Sequence, residues 1–196
     1  MKRETVVASL VWAALIAAGA LSRIYFRELP NFAPIAAMAL FAGYFFRSAK
    51  VAALVPLLAM GLSDLVIGAY QWQMMVLVYG MLALPVAFRT LLKKHLALER
   101  GSLRSTSRAL GGLLSCSLAS SLLFFLVTNF GCWLFFKTYG PNLAGLLHCY
   151  QQAIPFFTHT LAGDLIFGGA LFGSYVAAIN LGWAKEVKPS AVCQSA

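Results

Sequence analysis

The sequence predicts an all-α, polytopic membrane protein: six transmembrane helices in one bundle, with both termini in the cytoplasm. Three observations carry this expectation: a surplus of apolar residues, six apolar runs of near-spanning length, and a lopsided placement of Lys and Arg between the runs. Of 196 residues, 61% are hydrophobic and 11% charged, and the mean hydropathy is +0.80. A soluble domain carries about 25% charged and about 45–50% apolar residues. The excess here is more than one soluble core absorbs, and it fits a surface that faces lipid. At this length a single domain over residues 1–196 is expected.

A spanning helix needs about 20 apolar residues, with a range of about 17–25. The first run, 6–21, follows Met1, Lys2 and Arg3. A signal peptide opens in the same way. However, no small-residue cleavage site leads into a soluble domain and five more apolar runs follow, so this run reads as an uncleaved first helix. The second run, 32–46, is short. The third and fourth are 51–69 and 74–92. The fifth, 109–136, and the sixth, 153–183, are long enough to tilt or break.

The basic residues then set the orientation. One side holds Lys2, Arg3, Arg47, Lys50, Arg89, Lys93, Lys94, Arg100, Arg104, Arg108, Lys185 and Lys188, twelve in all. The other holds three: Arg23, Arg27 and Lys137. The positive-inside rule makes the richer side cytoplasmic, as expected for an inner (plasma) membrane protein. The net charge of +9 therefore reads as a topology signal. No nucleic-acid-binding motif accompanies it, so nucleic acid is not an expected partner. The basic loop between helices four and five has a second reading, as a contact for anionic lipid head groups of the bilayer. The tail after Trp183 is expected to fray.

Polar groups inside a membrane are costly, so their positions are informative. With this orientation Asp64, Asn129 and His159 fall in the outer parts of helices three, five and six, and Asn31 opens helix two. Asp164 falls about 16 Å along helix six, at 1.5 Å per residue. The outer loops add Tyr70, Gln71, Trp72 and Gln73, then Tyr139, Asn142, His148, Tyr150, Gln151 and Gln152. The inner halves carry far fewer such groups apart from the basic residues. This polarity predicts a pocket open to the outside, able to hydrogen-bond a polar organic molecule and stack on its rings. The candidate ligand contacts are Asn31, Asp64, Gln71, Trp72, Asn129, Trp133, His148 and Asp164. The competing reading gives the aromatics to the interfacial belt. It gives the two carboxylates to helix–helix hydrogen bonds or to Arg partners, with Arg23 and Arg27 both available to Asp64.

Catalytic and metal chemistry find little support. His159 and Asp164 are about 140° apart around one helix, so they do not share a face. No nucleophile elbow, Walker A loop, zinc-protease motif or dinucleotide fingerprint occurs. No metal site and no cofactor are expected, because Cys116, Cys132, Cys149 and Cys193 form no CxxC pair and the histidines lack metal-binding spacing. Cys132 and Cys149 both fall near the outer face, where a disulfide across the 5–6 connection and a free thiol acting as a soft metal ligand are both open readings. Prolines 34, 56, 85 and 155 punctuate helices two, three, four and six. Each either breaks its helix beside a cavity or, at Pro155, starts one.

Helix one carries a strip of small residues, Ala13 with Ala17 and Ala14 with Ala18, each pair four apart. Such a strip lets another helix approach closely, either within the bundle or from a separate subunit.

Several segments together resemble a known family. Helix two reads Asn-Phe-Ala-Pro-Ile-Ala-Ala-Met-Ala-Leu-Phe-Ala-Gly (31–43), and helix three contains Gly-Leu-Ser-Asp-Leu-Val-Ile-Gly (61–68). Helix five ends Asn-Phe-Gly-Cys-Trp-Leu (129–134), and Gly-Leu-Leu-His-Cys-Tyr-Gln-Gln-Ala-Ile-Pro-Phe-Phe (145–157) leads to Gly-Asp-Leu (163–165). Over most of residues 30–175 the pattern resembles a family of small bacterial membrane proteins described as candidate transport proteins. That family is in turn similar to the S components of energy-coupling factor (ECF) transporters. The resemblance implies a six-helix vitamin-binding subunit that takes its ligand from outside. It also implies docking on a coupling subunit and its ATPases through an Ala-xxx-Ala strip, matched here by Ala13, Ala14, Ala17 and Ala18. Cobalamin is a lesser ligand candidate: a related cobalamin-binding family contacts cobalt through a Cys, and no Cys here matches that position. The leading expectation is thus a non-enzymatic, substrate-binding membrane subunit for uptake of a vitamin or similar small molecule. The alternatives are a partner-recruiting scaffold of the rod-shape-protein kind and an intramembrane enzyme using Asp64, Asp164 or His159.

Overall fold

The computed structural model describes residues 3–29, 31–95 and 103–184. Lys2, Arg100, Lys185, Lys188, Cys193 and the tail expected to fray lie outside them. Among the described residues all regular structure is helical: α1 (Arg3–Tyr25), α2 (Ile35–Phe45), α3 (Ala49–Ile67), α4 (Trp72–Ala83), α5 (Arg89–His95), α6 (Leu103–Phe136) and α7 (Leu143–Asn180). A 3-10 segment, Leu84–Phe88, joins α4 to α5, so these form one helical rod and the bundle has six rods.

Five of the rods are long and apolar enough to cross a membrane. Between 17% and 39% of each apolar window is buried inside the protein, so most of that surface faces outward. Leu10, Leu21, Leu65, Val66 and Val76 are all more than half exposed. Water would expel such a surface and hydrocarbon accepts it. The chain is a multi-pass membrane protein.

α2 is the exception. Its 11 residues extend about 17 Å, against a hydrocarbon core of about 30 Å. It is also the most enclosed element, with every residue from Ile35 to Tyr44 buried. It packs against every other rod, most extensively α3, α7 and the 3-10 segment. The sequence dictates this: Ile-Ala-Ala-Met-Ala-Leu-Phe-Ala-Gly has no polar face, and its small residues admit neighbours on all sides. At Gly43 a Cβ would sit 3.2 Å from the Val86 Cα, so glycine lets the 3-10 backbone lie against α2. Gly19 does the same for α1: a Cβ there would meet the Ala59 Cβ at 2.9 Å. Around the other end of α2, Phe41, Tyr44 and Phe45 pack on Phe172 and Tyr175 of α7, with ring centroids 5.3–6.0 Å apart.

A helix buried at both ends must have its end groups satisfied from elsewhere. At the N-terminus Pro34 offers no side-chain cap. The Asp164 carboxylate of α7 takes the Ala37 N–H instead. At the C-terminus Lys93 donates to the Phe46 carbonyl at 3.1 Å, and Arg89 donates to the Phe46 and Arg47 carbonyls. A carboxylate at the N-end and cations at the C-end both match the helix dipole.

Two expectations about elements are corrected. The sixth helix begins at Leu143, not at 153, because Asn142 caps it by accepting the Gly145 N–H at 2.8 Å. His148, Tyr150, Gln151 and Gln152 are therefore helical, not loop, residues. Pro155 lies inside this 38-residue helix and does not start it. The remaining boundaries move by a few residues, except that the fifth helix begins at Leu103 and the fourth is interrupted at Pro85.

Candidate functional site

The chain leaving α1 folds back over the bundle before entering α2. Phe26 and Phe32 pack edge to face at 5.3 Å, and both lean on Phe167 of α7. Asn31 takes φ 62°, a left-handed conformation that asparagine tolerates better than most residues. This fold-back roofs a cavity of about 200 Å³ above the N-terminus of α2. Arg23, Arg27, Asn31, Phe26, Phe32 and Phe124 line it, and Ser120, Thr160 and Asp164 bring hydroxyls and a carboxylate. Arg27 is largely exposed, so it marks the mouth, whereas Asp164 is 1% exposed and marks the inner end.

Asp164 is held from two sides. Ser121 donates to its Oδ2 at 2.7 Å, and the Ala37 N–H is its other partner. Measured along α7 it lies about 31 Å from the first residue of the helix, because that helix starts ten residues early. His159 is not its partner: the His159 Nδ1 is buried without a hydrogen bond, as is the Gln73 Oε1.

Beside the cavity lies an ion pair. Arg23 Nη1 donates to Asp64 Oδ1 at 2.8 Å, to the Met60 carbonyl at 3.3 Å and to the Ser63 hydroxyl. The Tyr79 hydroxyl donates to Asp64 Oδ2 at 2.6 Å. Both carboxylate oxygens of Asp64 are thus engaged, tying α1, α3 and α4 together. Of the two arginines open to it, Arg23 is the partner, while Arg27 pairs with Glu28 at 3.2 Å. Tyr70, in the short α3–α4 connection, senses the same pair: burial and the Asp64 carboxylate push its phenol above the ordinary value, and Arg23 opposes them.

The structure therefore divides the eight predicted contacts. Asn31 and Asp164 meet at the cavity, and Asp64 sits behind Arg23. Asn129, Trp133 and His148 gather elsewhere, at the α6–α7 corner. There Trp133 donates to the Gly140 carbonyl at 3.0 Å, Asn129 to the Phe125 carbonyl at 2.8 Å, and His148 pairs with Gln152 and the Tyr139 ring. Tyr150 donates to the Leu126 carbonyl at 2.7 Å in the same region. These groups close the corner and none of them lines the cavity. Gln71 and Trp72 are exposed at the start of α4.

Cys132 and Cys149 are free thiols and form no disulfide with each other. Cys149 donates to the Asn129 carbonyl at 3.5 Å. Among the described residues no group of His, Cys, Asp and Glu is placed to hold a metal ion. Ala13, Ala14, Ala17 and Ala18 are all exposed, while Leu15, Ile16, Gly19 and Ala20 face the bundle. The small-residue strip lies on the outer surface.

Sequence reasoning missed Ser120, Ser121, Thr160 and Tyr79 as members of these sites. Ser117, Ser120 and Ser121 recur at helical spacing and all are buried, a pattern that marks a polar seam between helices.

No curated protein and no solved structure matches this chain. One family does match, over residues 3–186, so the chain belongs to DUF6580, a family of unknown function.

Proposed function

We propose that the protein binds a small polar organic molecule in the cavity above α2, as the membrane-embedded binding subunit of an uptake system. The observation that carries this reading is the cavity itself: two guanidinium groups, an amide, two hydroxyls and a carboxylate converge with three aromatic rings. In this reading α2 counts as a sixth, internal span. The end with Arg23, Arg27 and Lys137 faces outward from a bacterial inner membrane, and both termini are cytoplasmic, as the basic residues direct. The exposed Ala13, Ala14, Ala17 and Ala18 form the face on which a coupling subunit docks, in the manner of ECF transporter S components. Energy for transport comes from that partner, because this sequence carries no nucleotide-binding motif.

The volume narrows the ligand. Drug-sized ligands occupy pockets of about 300–1,000 Å³. A space of about 200 Å³ takes a one-ring vitamin or metabolite. A corrinoid is several times too large, so cobalamin is disfavoured as the ligand of this cavity.

The test is a thermal-shift screen of one-ring vitamins and related metabolites on the purified protein. A ligand at a hundredfold excess over its Kd stabilises the folded state by about 2.7 kcal/mol. The expected hit loses its shift in Asn31→Gly, which keeps the positive φ while removing the amide, and in Ser120→Ala. A hit that shifts both variants as strongly as the parent places the site elsewhere.

A further inference from the structure

At the opposite end of α2, Arg89 and Lys93 of α5 converge on Arg47, and Lys50 follows three residues further along the chain. Arg89 and Lys93 reach over from α5 to the Phe46 and Arg47 carbonyls. This brings their charges beside Arg47, close enough for Arg47 and Arg89 both to act on the Lys93 ammonium. Arg47 and Lys50 point outward and are exposed at the start of α3. The two carbonyls take hydrogen bonds but carry no net charge. The carboxylates whose side chains the structure describes, Glu28, Asp64 and Asp164, lie with Arg27, with Arg23 and at the N-terminal end of α2, away from this cluster. Like charges held together at a membrane boundary repel unless an anion sits between them.

The surface beneath the cluster says which anion. Continuing from Lys50 along one face of α3, Val51, Leu54, Leu58 and Leu62 are 38–49% exposed. Their spacing of three and four residues makes one apolar column about 17 Å long. A free phosphate makes no use of such a column. A phospholipid uses both parts, with its phosphate at the cations and its acyl chain along the leucines.

We propose that Arg47, Lys50, Arg89 and Lys93 form a binding site for an anionic phospholipid, whose acyl chain lies along Val51, Leu54, Leu58 and Leu62. The site is separate from the cavity and does not depend on what the cavity binds. The lipid neutralises the cluster that caps the C-terminus of α2 and so helps to hold that short helix in place.

The test is native mass spectrometry of the full chain in neutral detergent, titrated with phosphatidylglycerol, phosphatidylcholine or glycerol phosphate. Phosphatidylglycerol is expected to bind at one copy and to raise the thermal midpoint, and the other two are not. Arg47→Gln/Lys50→Gln removes the two cations not engaged in capping. Each cation near an anionic lipid surface contributes about 1 kcal/mol, so the double variant should bind phosphatidylglycerol roughly thirtyfold more weakly. Its midpoint in phosphatidylcholine should match the parent's, which separates lost binding from lost folding. Equal binding of the two phospholipids, unchanged affinity in the double variant, or an equal shift with glycerol phosphate overturns the proposal.

Discussion

Arg23→Ala should destabilise the protein by about 3 kcal/mol, the cost of stranding one member of a buried ion pair. The Asp64 side chain is 5% exposed and Arg23 18%, so water does not readily replace the guanidinium. Asp64 would keep only the Tyr79 hydroxyl at 2.6 Å, one neutral donor for a full charge. Ser63 and the Met60 carbonyl lose the same partner. The double variant Arg23→Met/Asp64→Leu removes both charges and fills the space with apolar atoms. It should recover most of the loss, because replacing a buried pair is far less costly than breaking it. Unfolding followed in detergent measures all the variants. A cost of less than about 1 kcal/mol for Arg23→Ala would mean that the pair behaves as a solvated surface bridge.

Asp164→Ala ranks second, at about 2 kcal/mol. Its main effect falls on α2, not on α7. The Ala37 N–H loses its acceptor at a buried helix start, which costs about the value of an N-cap plus part of the penalty for an unsatisfied donor. Ser121 suffers less. Its hydroxyl has one proton and already lies 3.0 Å from the Ser117 carbonyl, so it falls back on that acceptor. Asp164→Asn keeps an oxygen for the Ala37 N–H and should cost less than half as much. The same thermal measurement checks the order. Equal losses for the two substitutions would assign the effect to the negative charge and not to the hydrogen bond.

Much of the architecture was legible because membrane crossing depends on properties that a sequence carries directly. Apolar run length locates five spanning rods, but it also makes the short run 32–46 a sixth span, and the enclosure of α2 emerges only from packing. The sequence alone sets the start of α7 ten residues late, because Pro155 offers a start signal and Asn142, the actual cap, sits among turn-forming residues. A helix in a membrane tolerates an internal proline when neighbouring groups satisfy the freed carbonyl.

The site was less legible, since its contacts depend on how rods slide past one another. Asp64 and Arg23 were recognisable as partners because both sit at the same end of parallel helices. Asp164 with Ser121 and Ala37 requires the register of α6 against α7 and the position of a half-length helix, and no local pattern encodes either. Asn129, Trp133 and His148 looked equivalent to Asn31 by depth. They are separated from the cavity because α6 and α7, about 51 and 57 Å long, exceed the span needed and close their own corner.

The most direct measurement of the central claim is a native mass spectrum of the protein purified in mild detergent, taken with an ultraviolet–visible spectrum before and after denaturation. A binding subunit should carry a single small molecule at one copy per chain, of a size suited to a cavity of about 200 Å³, released on unfolding. A chain that carries no such molecule, and that no member of the one-ring panel stabilises, would contradict the account and assign the exposed α1 face to a scaffold.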